Sequence, residues 1–114
     1  FQPIKSLMVT GFPYLQEKLI NTNNLEYFKK ISFKVRGVRR LGSAAIDLCY
    51  VAHGKFEAFW EFDLKPWDVA GGVIIVDEAG GKVTDADGKK DYIFGKSIVA
   101  SNKKTHKFLL DIFK

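Results

Sequence analysis

Apolar residues recur along the chain in short alternating or continuous runs punctuated by glycine, proline and asparagine, a pattern that predicts strands and helices in turn. Residues 4–10 are short and apolar, end at Gly11 and read as a buried strand; Phe12-Pro13 then opens a turn. Between Pro13 and Ile31 the spacing is helical but interrupted at residues 21–24, so the firmer helix is expected over 24–31, with a looser turn before it. Residues 33–41 alternate in part and stop at Gly42, which predicts a second strand. Ser43 caps a helix over 44–52 that is apolar nearly all round and is therefore expected to be buried; His53-Gly54 ends it. A third strand is expected over 55–61, and a helix over 69–79 closed by Gly80-Gly81. Strands over 81–84 and 97–101 follow, with a tight turn at Asp87-Gly88 between them. Asn102 caps a last amphipathic helix carrying Phe108, Leu109, Ile112 and Phe113. This alternation predicts an α/β fold, a layered sheet-and-helix domain spanning 1–114 without repeats or linkers.

Composition narrows the class. A chain of 114 residues with 46% hydrophobic content and ten Phe can bury a real core. Its one cysteine, Cys49, excludes an internal disulfide and fits a reducing, cytoplasmic setting. The sequence has no apolar run of membrane-spanning length. The formal charge of +5 would suit nucleic acid or an anionic substrate. Its lysines are scattered, however, and no basic-aromatic stripe accompanies them, which counts against nucleic acid. Phe1 is not an initiator methionine, so the chain is expected to begin in mid-protein or to have lost residues.

Two helix starts carry candidate chemistry. One is Gly42-Ser43-Ala44, a strand-to-helix turn without bulk, where free backbone N–H groups bind anions or hydroxyls; tight packing is the plainer explanation. The other is the stretch Glu61-Phe62-Asp63-Leu64-Lys65-Pro66-Trp67-Asp68, with three carboxylates ahead of a helix. Asp68 falls at or beside the expected N-cap, and local chemistry favours a structural cap over a ligand role. A carboxylate cluster without His or Cys suits Mg²⁺, a hard ion that takes oxygen ligands. Asp85-Ala86-Asp87-Gly88 imitates the opening of a calcium loop but lacks the closing glutamate and reads as a turn. Asp47 is expected to pair with Arg39 or Arg40, and His106 to lie on the surface.

The motifs Trp67-Asp68-Val69-Ala70-Gly71-Gly72, Ile75-Val76 and Glu78-Ala79-Gly80-Gly81 resemble the C-terminal signature of the inositol monophosphatase family. Arg39-Arg40-Leu41-Gly42-Ser43-Ala44-Ala45 with Asp47-Leu48 resembles that family's other C-terminal block. The resemblance implies Mg²⁺-dependent, Li⁺-sensitive hydrolysis of a small phosphate monoester by a homodimeric full-length enzyme. It implies that Asp68 is a metal ligand that also touches substrate, and that Glu61 bonds the polyol. It further implies that Gly42, Ser43 and Ala44 form the substrate turn, with Trp67 packed to fix the loop. Arg40 is a candidate phosphate contact, and Asp63 has no assigned role. The family's acidic metal-binding motifs belong to an N-terminal half that has no counterpart here. The chain is thus expected to be the C-terminal portion of such an enzyme and inactive alone. Alternatives are a parent acting on fructose 1,6-bisphosphate, or a non-catalytic binding module.

Overall fold

The computed structural model describes residues 1–12 and 24–114. Pro3–Lys5 forms a 3-10 turn, followed by β1 (Leu7–Thr10), α1 (Asn24–Ser32), β2 (Gly37–Arg39), α2 (Ala44–His53) and β3 (Ala58–Phe62). Then come α3 (Pro66–Glu78), β4 (Lys82–Thr84), β5 (Ser97–Ser101) and α4 (His106–Phe113). The looser turn expected ahead of α1 lies outside the described residues.

The five strands are ordered β2-β1-β3-β5-β4. β1 runs parallel to β2 and β3, while β5 runs antiparallel to β3 and β4. Because side chains alternate across a strand, each strand feeds two cores. Met8, Ala58, Trp60 and Val99 pack with Ile31 of α1 and Leu109 of α4. Val9, Phe59, Ile98 and Ala100 pack with Leu48 and Val51 of α2 and with Val69, Val73 and Val76 of α3. One sheet between two helical layers is the α/β architecture expected. The layer of α2 and α3 is tight: a Cβ on Gly72 would meet Leu48 Cβ at 2.7 Å.

Several expectations are corrected. The first strand starts at Leu7, because Pro3 at the head of Pro3–Lys5 favours a helical turn there. The second strand keeps only Gly37–Arg39; residues 33–36 turn instead, with the Lys34 and Val35 N–H groups both donating to Ile31 O. Helix α2 is buried on one face only, leaving Ile46, Cys49 and Tyr50 exposed. Helix α3 begins a turn early, at Pro66, whose missing N–H is harmless at a first helical position. Asn102 caps the turn before α4, accepting from Thr105 N at 3.2 Å. Asp63 is a turn residue: its φ is 62° and its N–H donates to Lys96 O.

His106 is buried, not on the surface, and its tautomer follows from its neighbours. Thr84 donates its one hydroxyl hydrogen to Asp85 O at 2.7 Å, so it accepts from His106 Nε2–H at 2.8 Å. Nδ1 then accepts from the Ser101 hydroxyl at 2.8 Å, and Ser101 Oγ accepts from Lys103 N. Burial, with Lys82 nearby, lowers its pKa from 6.5 to about 4. Asp47 is also buried, with 1% exposure, and pairs with neither Arg39 nor Arg40. Neither of its carboxylate oxygens has a hydrogen-bond partner among the described residues. Arg39 bonds weakly to Val38 O and Arg40 stacks on Phe12, so both guanidinium groups are directed elsewhere. Desolvation raises the Asp47 pKa from 3.8 to about 6.

These two groups predict opposite pH effects. The unfolded chain protonates its histidine near 6.5 and the folded chain only near 4, so the stability His106 contributes is intact above 6.5. It falls away as pH drops toward 4, a loss of about 3 kcal/mol. Denaturant unfolding across that window should show His106→Gln with a shallower acid loss; parallel curves would refute it. The buried Asp47 charge instead penalises folding above pH 6, a penalty relieved as pH falls. Asp47→Asn should therefore stabilise the chain by about 1–3 kcal/mol at pH 8 and by much less at pH 4.5. An equal change at both values would show that the charge is not the cause.

Candidate functional site

The parallel strands β1 and β3 end side by side, and their outgoing connections reach α1 on one face and α3 on the other. Adjacent strands whose connections part in this way open a crevice at their carboxyl ends. Here it is a cleft of about 300 Å³ lined by Gly11, Phe12, Arg40, Gly42, Ser43, Ala44, Ala45, Glu61, Leu64, Trp67 and Asp68.

Two helix N-termini face it. Ser43 caps α2, its Oγ accepting from Ile46 N at 3.3 Å, and Gly42 turns the chain into that cap with a φ of 87° that suits glycine. Helix geometry leaves the first-turn N–H groups of Ala44 and Ala45 without intrahelical acceptors, next to the cleft. At α3 the expected N-cap is corrected. Lys65 holds that position, and Asp68, two residues after Pro66, reaches back to accept Lys65 N–H at 2.9 Å. This is the acidic half of a capping box. A carboxylate has about four acceptor positions, so the cap leaves Asp68 capacity for a second partner.

Glu61, the fourth residue of β3, is turned to the α2–α3 face by strand alternation. Its carboxylate lies against Gly11, where any side chain would collide with it. Burial, joined by the charges of Asp47 and Asp68, pushes its pKa up from 4.5 to about 7; among the described residues, Arg40 alone opposes the rise. The Arg40 guanidinium carbon stands 5.5 Å from the Phe12 ring centroid, a cation–π distance.

All the residues singled out in sequence, Gly42, Ser43, Ala44, Glu61, Asp68 and Arg40, thus line one cleft. Gly11, Phe12 and Leu64 also line it, and sequence reasoning gave them no part in a site. The available signal for Gly11 was its place at a strand end, like that of Gly42. Trp67 is corrected: it is 79% exposed at the cleft and does not pack to fix the loop. Asp63 stays outside it.

The oxygen donors Glu61 and Asp68 have the hardness Mg²⁺ prefers. Among the described residues, however, no group of three or more His, Cys, Asp or Glu is placed to hold a metal ion. These donors fit one wall of a site. No helix among the described residues is long and apolar enough to cross a membrane.

The inositol monophosphatase family matches residues 3–114. A phosphatase named IMPL1, chloroplastic, from Arabidopsis thaliana is 50% identical over 107 residues, which make up 94% of this chain and 29% of that protein. An inositol-1-monophosphatase from Caulobacter vibrioides is 44% identical over 108 residues, covering 94% of this chain and 42% of its own. The structure of inositol monophosphatase from Anabaena superposes with a TM-score of 0.89 at 42% identity, over 97% of this chain and 44% of that one. The chain therefore spans less than half the length of these relatives. With this match over almost its whole length, the chain belongs to the inositol monophosphatase family.

Proposed function

We propose that the chain is the C-terminal portion of a Mg²⁺-dependent phosphate monoester hydrolase whose parent acts on inositol monophosphate. The observation that carries this reading is the convergence of Glu61, Asp68 and the Ser43-capped start of α2 on one cleft. In it, the amides of Ala44 and Ala45 at the positive end of α2 receive an anionic or hydroxyl oxygen of the substrate. Glu61 bonds a ring hydroxyl, and Arg40 contacts phosphate. Asp68 would hold Mg²⁺, which when bound activates water and stabilises the leaving oxygen. The remaining metal ligands come from the missing N-terminal half.

The exposed apolar face of α2 and α3 (Ile46, Tyr50, Ile74 and Ile75) gives that half a surface on which to dock. We assign the parent to the cytoplasm as a homodimer; the unpaired, exposed Cys49 suits a reducing compartment. Arg40, exposed and held on Phe12, supports a second reading in which the parent also takes a sugar bisphosphate.

Phosphate release from inositol 1-phosphate by the full-length enzyme should require Mg²⁺ and cease on chelation. Asp68→Asn should lower kcat by about 100-fold, whereas Glu61→Gln should act mainly by raising KM. The 114-residue chain alone should release no phosphate at comparable rates; turnover there would overturn the two-walled site. Comparing inositol 1-phosphate with fructose 1,6-bisphosphate on the wild type separates the two readings; under the second, Arg40→Ala should impair the bisphosphate more than the monophosphate.

A further inference from the structure

Helix α1 lies on the face of the sheet opposite α2 and α3, yet two of its residues reach the wall of the cleft. Asn24 is fully buried, as are Thr10 and Trp60. An indole N–H can only donate, so the Asn24 Oδ1 must face it, and it accepts from Trp60 Nε1 at 2.6 Å. That fixes the amide: Nδ2 donates to Gly11 O at 2.9 Å and to Thr10 Oγ1 at 3.3 Å. Thr10 in turn donates to Trp60 O at 2.6 Å, which closes the ring of bonds between β1 and β3. One turn along the helix, Phe28 meets Phe12 edge to face, with centroids 5.7 Å apart at 67°.

Gly11 and Phe12 are the residues these contacts hold, and both line the cleft. Gly11 bounds the space open to the Glu61 carboxylate, and Phe12 carries the Arg40 guanidinium. A buried polar ring of this kind adds little net stability over apolar packing, because each bond replaces one made to water. What it does add is a defined place for the Gly11 carbonyl.

We infer that Asn24 and Phe28 are positioning residues that set the Gly11–Phe12 wall, and through it the substrate-binding posture of Glu61 and Arg40. The inference rests on the proposed phosphatase reading. Since wall and side chains grip substrate and take no part in bond making, loosening the wall raises KM and leaves kcat nearly unchanged.

Asn24→Asp separates the two halves of the amide. It keeps an acceptor for Trp60 but replaces the donor to Gly11 with an oxygen that repels the carbonyl. In the full-length enzyme with Mg²⁺ and inositol 1-phosphate, this variant should raise KM about five-fold, with kcat within about two-fold. The Trp60 indole N–H resonance should keep its hydrogen-bonded shift in Asn24→Asp and lose it in Asn24→Ala. Phe28→Leu, a milder change on a half-buried residue, should raise KM about two-fold and serves if the Asn24 variants fail to fold. A wild-type enzyme that releases no phosphate overturns the phosphatase reading and this inference with it. An active wild type whose KM is unmoved in the folded variants overturns this inference alone.

Discussion

The carboxylate of Glu61 against the backbone of Gly11 is the contact on which the rest of the site depends. A carboxylate this deep in a sheet is costly unless it is paired, and the described charges around it are mostly of its own sign. The sheet accepts it because β1 ends beside it in a residue without a side chain. Strand alternation then sends Trp60 to the other face, where its indole is met by Asn24. A single register of β1 against β3, Thr10 beside Trp60, therefore places both the polar cleft and the polar ring beneath it. Slipping that register by one residue would bury Trp60 under α2 and α3 and expel Glu61 from the cleft.

The two helical layers are unequal partners in this arrangement. Helices α2 and α3 press together at Gly72 and Leu48 and bring their N-termini to the cleft, so their positions are set by the core. Their outer sides still carry Ile46, Tyr50, Ile74 and Ile75 in solvent, more apolar surface than two helices with a finished exterior would show. On the far side, α1 and α4 share the core of Trp60 with a cluster of rings, Tyr27, Phe62 and Phe113. That layer has its own polar centre in His106, which ties α4 to β4 and β5 through two hydroxyls.

What could be read from the sequence was what is local in the chain. Ser43 after Gly42 and before an alanine run announces a cap, and alternation around Glu61 announces a strand end; both hold in the structure. The place of Asp68 was off by a turn, because Lys65 as N-cap bonds through its backbone and leaves no side-chain signal. The fates of Asp47, His106 and Trp67 were not legible. Each depends on whether residues from distant parts of the chain close over it, as they do for Asp47 and His106 and do not for Trp67, and a helical or loop position carries no record of that. Asp47 sits on a helix face that points inward, where no arginine within a few positions can follow it. His106 meets Thr84 and Ser101 only because β4 and β5 pair. Arg40, next to the Gly42 turn in sequence, does line the cleft, but Phe12, its stacking partner, is far away in sequence.

The electrostatics of the cleft run against those of the chain. A protein of net charge +5 sets Asp47 and Asp68 around Glu61 and, among the described residues, offers Glu61 only Arg40 in return, itself held on a ring. Helix N-termini soften this imbalance, since each brings about half a positive charge, but Asp68 already uses the one at α3 as a cap. The Asp47 oxygens, without a hydrogen-bond partner among the described residues, and the raised pKa of Glu61 are two signs of the same deficit of positive charge. In the proposed function, the cation and the missing wall supply it. A cation near Glu61 and Asp68 would reverse the local logic and favour the charged carboxylates that burial now disfavours. By the same logic Asp47, which bears on Glu61 through charge alone, strengthens the field that would attract such a cation, and its cost to folding would be offset only in the assembled enzyme.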